Sequence, residues 1–132
     1  MNEEKVFAQV GEAGIIAMVK AFYKRVPGDD ILGPMYPQND MHGAEERLRD
    51  FLLMRIGGKT NYIEKRGHPR LRMRHAPFMI NFRARDRWMK LMDEAMDESG
   101  IDEEPKQDLH KFFFEVADFL RNVPETEGRF KI

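Results

Sequence analysis

Residues 66–78, RGHPRLRMRHAPF, form the segment on which the prediction of the fold depends. They lie within residues 57–80, where Gly, Pro and mixed polarity predict a long irregular connection. Such a connection inside a compact domain is often functional. The segment is also the most basic part of the chain, and His75 ends it just before Pro77 and Phe78. The search for a functional site therefore starts at His75.

Helical periodicity dominates on both sides of this segment, with apolar residues spaced by three and four. Capping and terminating residues bound each helix: Pro27-Gly28 ends the first, Asn39 or Asp40 begins the second, Asn81 begins the third and Pro105 opens the fourth. The apolar stripes cover residues 15–26, 41–56, 88–96 and 109–120. Gly57-Gly58 and Gly100 are predicted to end the second and third helices. The expected fold is all-α, with four main helices in two antiparallel pairs.

Length and composition predict one soluble domain spanning residues 1–132, with a frayed tail from about residue 124. Charged residues make up 34% of the chain and hydrophobic ones 42%, and the 10 Phe argue against disorder. No apolar run approaches the ~18–20 residues of a membrane span. The acidic N-terminus lacks a signal sequence, which predicts a cytoplasmic protein. The absence of Cys excludes disulfides, Cys-ligated zinc, iron–sulfur clusters and thiol nucleophiles.

The net charge of −1 hides a strong asymmetry along the chain. Residues 61–90 hold nine Lys or Arg against Glu64 and Asp86, a net of +7. Residues 91–108 hold eight Asp or Glu against Lys106, a net of −7. The basic block is suited to an anion, while the acidic block faces water or pairs with the basic one.

The histidines are the first candidates for chemistry. His42 precedes Glu45 by three residues, a spacing that could share a metal, although a solvated pair is the commoner arrangement. A lone His such as His75 is more often structural, but a single axial His can also hold a haem iron. The arginines before His75 could bind the haem propionates, could bind a phosphate or nucleic acid, or could be a solvated basic loop. Apolar walls for a haem could come from Phe22, Leu48, Phe51, Leu91, Met92 and Phe112.

Three large hydrogen-bond donors, Tyr23, Tyr36 and Trp88, occupy apolar-face positions. Buried Tyr O–H and Trp N–H groups need acceptors. Backbone carbonyls are the commoner acceptors for such groups. A small bound ligand with developing negative charge would also satisfy them.

Several segments together resemble the group II truncated haemoglobins. The resemblance covers about residues 12–98, and RGHPRLRMRHAPF followed by a Trp on the next helix is its most specific part. The matching segments are FYKRVPGDDILGPMYP (22–37), GAEERLRDFL (43–52), the glycines at 57–58, RGHPRLRMRHAPF (66–78) and RARDRWMKLM (83–92). The resemblance implies a truncated globin, a two-over-two helical sandwich around haem b.

The resemblance also implies roles for individual residues. His75 resembles the proximal iron ligand, while Tyr23, Tyr36 and Trp88 resemble the distal residues that hydrogen-bond the ligand. Ala44 occupies the distal-gate position and Leu48 the apolar distal wall. The remaining implied contacts to the haem are the propionate-binding pair Tyr62 and Arg74, and the ring contacts Phe51 and Phe78.

The function implied is binding of oxygen, nitric oxide and carbon monoxide at a five-coordinate iron. Strong distal hydrogen bonds suit redox chemistry, such as nitric oxide oxidation to nitrate or peroxide turnover, better than bulk oxygen storage. A reductase partner is expected, with no nucleic-acid or membrane partner, in a monomer or homodimer. The alternative is a gas or redox sensor acting through a protein partner. A nucleic-acid binder that uses the basic block is a third hypothesis, and a colourless preparation would favour it.

Overall fold

The computed structural model describes residues 1–123, and within that range every regular element is helical. The predicted fraying of the tail from about residue 124 falls outside the described residues. The elements, in chain order, are α1 (Glu3–Arg25), a 3₁₀ turn (Gly33–Met35), α2 (Met41–Gly57), α3 (Asn61–Arg66), α4 (Leu71–His75), α5 (Phe82–Glu98) and α6 (Glu103–Phe119).

Side-chain caps set the beginnings of α2 and α5 where the sequence predicts them. The Asp40 carboxylate accepts a hydrogen bond from the Gly43 N–H at 3.2 Å, and the Asn81 side chain accepts one from the Ala84 N–H at 2.9 Å. Each cap satisfies a backbone N–H that has no partner within the first turn of its helix. Gly58, with φ 68°, ends α2 in the left-handed region that glycine adopts without steric cost. The predicted boundaries of these helices are confirmed.

The first helix begins earlier than its apolar stripe indicates. The Asn2 side chain caps it by accepting from the Lys5 N–H at 3.1 Å, and Val6 in its first turns is buried. Gly11, with φ 74°, interrupts the helix with a kink that divides the N-terminal turns from the rest. By length and mean hydropathy (1.3), α1 matches a membrane-spanning segment, contrary to the expectation that no segment approaches one. The core helix of a globular protein meets the same criterion, and α1 supplies much of the core here.

The long helices pack as two pairs around one core. α1 packs on α2, α5 packs on α6, and α1 also crosses α5. Side chains from all four helices are fully buried where the pairs meet, among them Ile15, Met18, Phe22, Leu52, Met92, Met96 and Leu109. The core therefore lies between the two pairs and leaves one end of the molecule to the short elements between α2 and α5.

The connection between α2 and α5 is more regular than predicted, because it contains the short helices α3 and α4. Tyr62, which is 4% exposed, is the one buried residue of α3, and α4 has none. Helices this short bury too little to produce an apolar stripe, which is why periodicity misses them. Together they place His75 beside the core.

Candidate functional site

A cavity of about 320 Å³ lies between the long helices and the short helices α3 and α4. Its walls are predominantly apolar, as is usual for sites that bind small molecules or cofactors. All of the predicted site residues except Met92 line it: Tyr23, Tyr36, Ala44, Leu48, Phe51, Tyr62, Arg74, His75, Phe78 and Trp88. The connection thus brings together residues that are up to 65 positions apart in the chain.

Met92 is the exception: it is predicted to contact a cofactor, but the structure does not place it in the wall of this cavity. Its side chain is 0% exposed and belongs to the core between the helix pairs rather than to the cavity wall. Phe22 and Leu91, proposed above as possible walls, do not line the cavity either. A residue on the apolar face of α5 can face the core or the cavity, and periodicity does not distinguish the two.

The imidazole of His75 is fixed by its own helix. Its Nδ1 lies 2.7 Å from the Leu71 carbonyl oxygen, one turn earlier in α4. A carbonyl only accepts, so we assign the proton to Nδ1. The lone pair of Nε2 then remains available for a metal, as at metal-ligating histidines whose other ring nitrogen donates to a carbonyl.

The other histidines are placed differently. His42, His68 and His110 are exposed, and none of them lines the cavity. His110 pairs with Asp93 at 2.8 Å on the outside of α5 and α6. No group of three or more His, Asp or Glu side chains within residues 1–123 is arranged to hold a metal ion, so the spacing of His42 and Glu45 does not build a site in this range.

Tyr23, Tyr36 and Trp88 form a polar cluster on the otherwise apolar wall. The Tyr23 and Tyr36 rings meet edge-on with their centroids 5.7 Å apart. The Trp88 ring packs against Phe22 at 5.0 Å and Phe113 at 5.4 Å. Side-chain bonds to backbone carbonyls are made by other residues, such as Arg25, Gln38 and Asn122, and not by these three among the described residues. All three side chains line the cavity, so their donors lie at its wall.

Burial raises the pKa values of both tyrosines in this cluster. The pKa of Tyr36 is raised to about 12, although the neighbouring Trp88 and Tyr23 donors partly oppose that effect. Burial, reinforced by Tyr36, also raises the pKa of Tyr23 well above its ordinary value. Both hydroxyls therefore stay protonated at neutral pH. Each hydroxyl can therefore donate a hydrogen bond to an acceptor in the cavity.

Basic side chains line the same cavity. Arg74 donates through Nη2 to the Arg66 carbonyl at 2.9 Å, which holds its guanidinium beside the cavity. Arg66 is in turn held by the buried carboxylate of Asp50 at 3.3 Å, and its guanidinium lies over the Tyr62 ring at 5.5 Å. Phe51 packs on the same tyrosine at 5.9 Å. This network orders the Arg74 guanidinium and the Tyr62 phenol at the cavity, where an anionic group of a bound molecule would be neutralised.

Sequence reasoning missed part of the wall. Arg47 and Arg85 line the cavity, although neither is among the predicted site residues. Arg47 follows Ala44 by three residues on α2, and Arg85 precedes Trp88 by three on α5, so the helical spacing was an available signal. The C-terminal half of α6 also contributes, with Phe113, Val116, Ala117 and Leu120.

Comparison with known proteins agrees with these features. The family model for bacterial-like globins matches residues 5–122. The group 2 truncated hemoglobin YjbI of Bacillus subtilis is 33% identical over 93% of this chain and 92% of its own. The hemoglobin of Thermobifida fusca is 42% identical and superimposes with a TM-score of 0.85 over 91% of this chain and 98% of that one. The group II truncated hemoglobin of Bacillus anthracis is 30% identical, with a TM-score of 0.86 over 91% of this chain and 92% of that one.

These likenesses extend over nearly the whole described chain, so they confirm the predicted family and the two-over-two helical fold. As a globin, the chain binds haem, and the haem iron binds oxygen or other diatomic ligands. The chain belongs to the bacterial-like globin family, as a group II truncated haemoglobin.

Proposed function

We propose that the cavity holds haem b with His75 Nε2 as the protein ligand of the iron. The residues that line the cavity have the chemistry that binding of a haem requires. Nδ1 of His75 is already bound to a carbonyl, which leaves Nε2 as a lone-pair donor. The surrounding wall is apolar, and Arg74 and Tyr62 at its rim suit the two carboxylates of the porphyrin. Leu48, Phe51 and Phe78 supply apolar contacts, and the small side chain of Ala44 leaves space between α2 and the cavity.

The haem, when bound, supplies an iron that binds diatomic gases and exchanges single electrons. The protein supplies the hydrogen bonds. Tyr36, Tyr23 and Trp88 present three donors in a cavity whose walls are predominantly apolar, and the hydroxyls remain protonated well above neutral pH. Donors that are fixed before a ligand arrives stabilise negative charge on it most effectively in an apolar environment. They therefore slow release of a ligand that acquires negative charge.

That polar cluster is the observation that carries the functional proposal. Slow release is disadvantageous for bulk oxygen delivery but allows a retained oxygen to meet a second reactant. We infer that the protein carries out redox chemistry, oxidising nitric oxide to nitrate or turning over peroxide, rather than storing oxygen. A cytoplasmic reductase that restores ferrous iron is part of this proposal, because each oxidation of nitric oxide to nitrate takes one electron from the iron, and peroxide turnover takes its two electrons from a reducing substrate.

Mixing the oxygen-saturated ferrous protein with nitric oxide in a stopped-flow instrument tests this function. One nitric oxide, one oxygen and one electron from ferrous iron give one nitrate, so nitrate and ferric protein should appear in equal amounts. We expect the conversion to be complete within the mixing experiment, with no free superoxide. A nitrate yield far below the yield of ferric protein would contradict the proposal and favour the gas or redox sensor.

Replacing Arg74 by Ala is expected to accelerate haem loss without changing the absorption spectrum. One propionate loses its cation, while His75 keeps its bond to Leu71. Because Arg74 is exposed, water partly replaces the lost partner, so we expect an increase of roughly two- to fivefold in the rate of haem transfer to an acceptor protein. The exposed Arg70, which does not line the cavity, is the matched control. Equal rates in the parent and both variants would place Arg74 in solvent rather than at a propionate.

A further inference from the structure

A side chain beyond the end of α6 holds the segment that follows His75. Asn122 Oδ1 accepts a hydrogen bond from the Ile80 N–H at 2.8 Å. Its Nδ2 donates to the Phe78 carbonyl at 2.8 Å and lies 3.4 Å from the His75 carbonyl. The Asn122 backbone N–H donates to the Ile80 carbonyl at 2.9 Å. One residue therefore makes contact with the backbone at three points between His75 and Ile80.

These contacts add to the few others that anchor this segment, which are a turn in which the Phe78 N–H donates to the His75 carbonyl at 3.0 Å and the positions of Phe78 and Ile80 at the cavity wall. Residues 76–79 are exposed, and α4 contributes no buried residue. The last carbonyls of a helix have no partner within the helix, and His75 is the last residue of α4. Asn122 supplies a donor to two carbonyls of this region and an acceptor to one N–H, in an exposed position where burial would not hold the chain.

His75 is consequently held from two sides. The Leu71 carbonyl fixes the imidazole from within α4, and Asn122 fixes the backbone that carries the imidazole from the end of α6. Asn122 does not itself line the cavity, so its effect on the cavity passes through His75 and the segment after it. The contact also joins α6, whose C-terminal half lines the cavity, to the segment that carries His75.

We propose that Asn122 is a positioning residue for His75: it fixes the height and tilt of the imidazole in the cavity by clamping the segment from His75 to Ile80 onto the end of α6. This inference rests on the proposed role of His75 as iron ligand. An amide side chain is suited to the task because it donates and accepts at the same time. Aspartate at this position would still accept a hydrogen bond from the Ile80 N–H, but its carboxylate has no N–H to donate and would repel the Phe78 and His75 carbonyl oxygens.

The test compares the full-length haem protein with its Asn122→Ala and Asn122→Asp variants. Resonance Raman spectroscopy of the ferrous protein reports the iron–histidine stretching band directly. We expect a shifted or broadened band in both variants, together with faster deuterium exchange at the Ile80 amide. Haem transfer to an acceptor protein should accelerate by roughly three- to tenfold, the ratio expected from losing one or two net hydrogen bonds.

Asn2→Ala is the matched control, because it also removes an exposed asparagine that accepts a backbone N–H, at the start of α1. It should leave the iron–histidine band unchanged. A wild-type protein without an iron–histidine band would refute the ligand role of His75 and hence the proposed site. A normal wild-type band that neither Asn122 variant alters would overturn the positioning role alone, even if both variants lose haem faster through lower stability.

Discussion

Replacing His75 by Gly is expected to abolish stable haem retention, or to give a protein that regains its spectrum when imidazole is added. Among the described histidines His75 alone lines the cavity, and its Nδ1 is already bound to the Leu71 carbonyl. No Cys exists in the chain to replace it as a ligand. Glycine removes the side chain and leaves space in which free imidazole can bind. Absorption spectra recorded before and after the addition of imidazole measure this result.

His68→Ala is the control for the same experiment. His68 belongs to the same basic segment, but it is exposed and does not line the cavity. We expect this variant to retain haem and to keep the parent spectrum. An unchanged spectrum for His75→Gly combined with a colourless His68→Ala would transfer the ligand role to His68 and would require the segment to be arranged differently from the structure described above.

The sequence predicts the long helices well because their ends are chemically marked. Asp40 and Asn81 cap α2 and α5 by accepting backbone N–H groups, and Gly58 ends α2 with a positive φ. Such signals are local and can be identified without knowledge of the fold. α3 and α4 lack a side-chain cap, and they bury almost nothing. They depend on tertiary contacts, such as those of Tyr62 and Asn122, that no local pattern contains.

The candidate site was also predictable only in part. Residue chemistry alone identifies His75 and the three donors as candidates, but it does not decide whether His75 binds haem, is structural, or belongs to a phosphate-binding loop. The resemblance to a family selects among these alternatives and adds Ala44, Tyr62 and Phe78. Neither source distinguishes the core face of α5 from its cavity face, which is why Met92 was misplaced and Arg85 missed. Asn122 lay beyond the diagnostic segments altogether.

Replacing Trp88 by Phe is expected to raise the oxygen dissociation rate roughly ten- to a hundredfold, and by more than Tyr23→Phe does. The indole is clamped between Phe22 and Phe113, so its N–H is held in one direction. Phenylalanine keeps the aromatic packing and removes the donor. A hydrogen bond to a partly charged acceptor contributes about 1.5–3 kcal/mol, which corresponds to a change of that size in the rate. Stopped-flow displacement of oxygen by carbon monoxide measures it.

The smaller effect expected for Tyr23→Phe follows from the geometry of the polar cluster. The Tyr23 and Tyr36 rings meet edge-on with their centroids 5.7 Å apart, so each hydroxyl has the other tyrosine as a neighbouring donor at the cavity wall. Without Tyr23, the Tyr36 hydroxyl and the Trp88 N–H can still donate to the ligand. Without Trp88, no other fixed donor is left, because both remaining hydroxyls rotate and can satisfy each other instead of the ligand. An oxygen dissociation rate for Trp88→Phe within about twofold of the parent would show that Trp88 only fills space beside the two tyrosines.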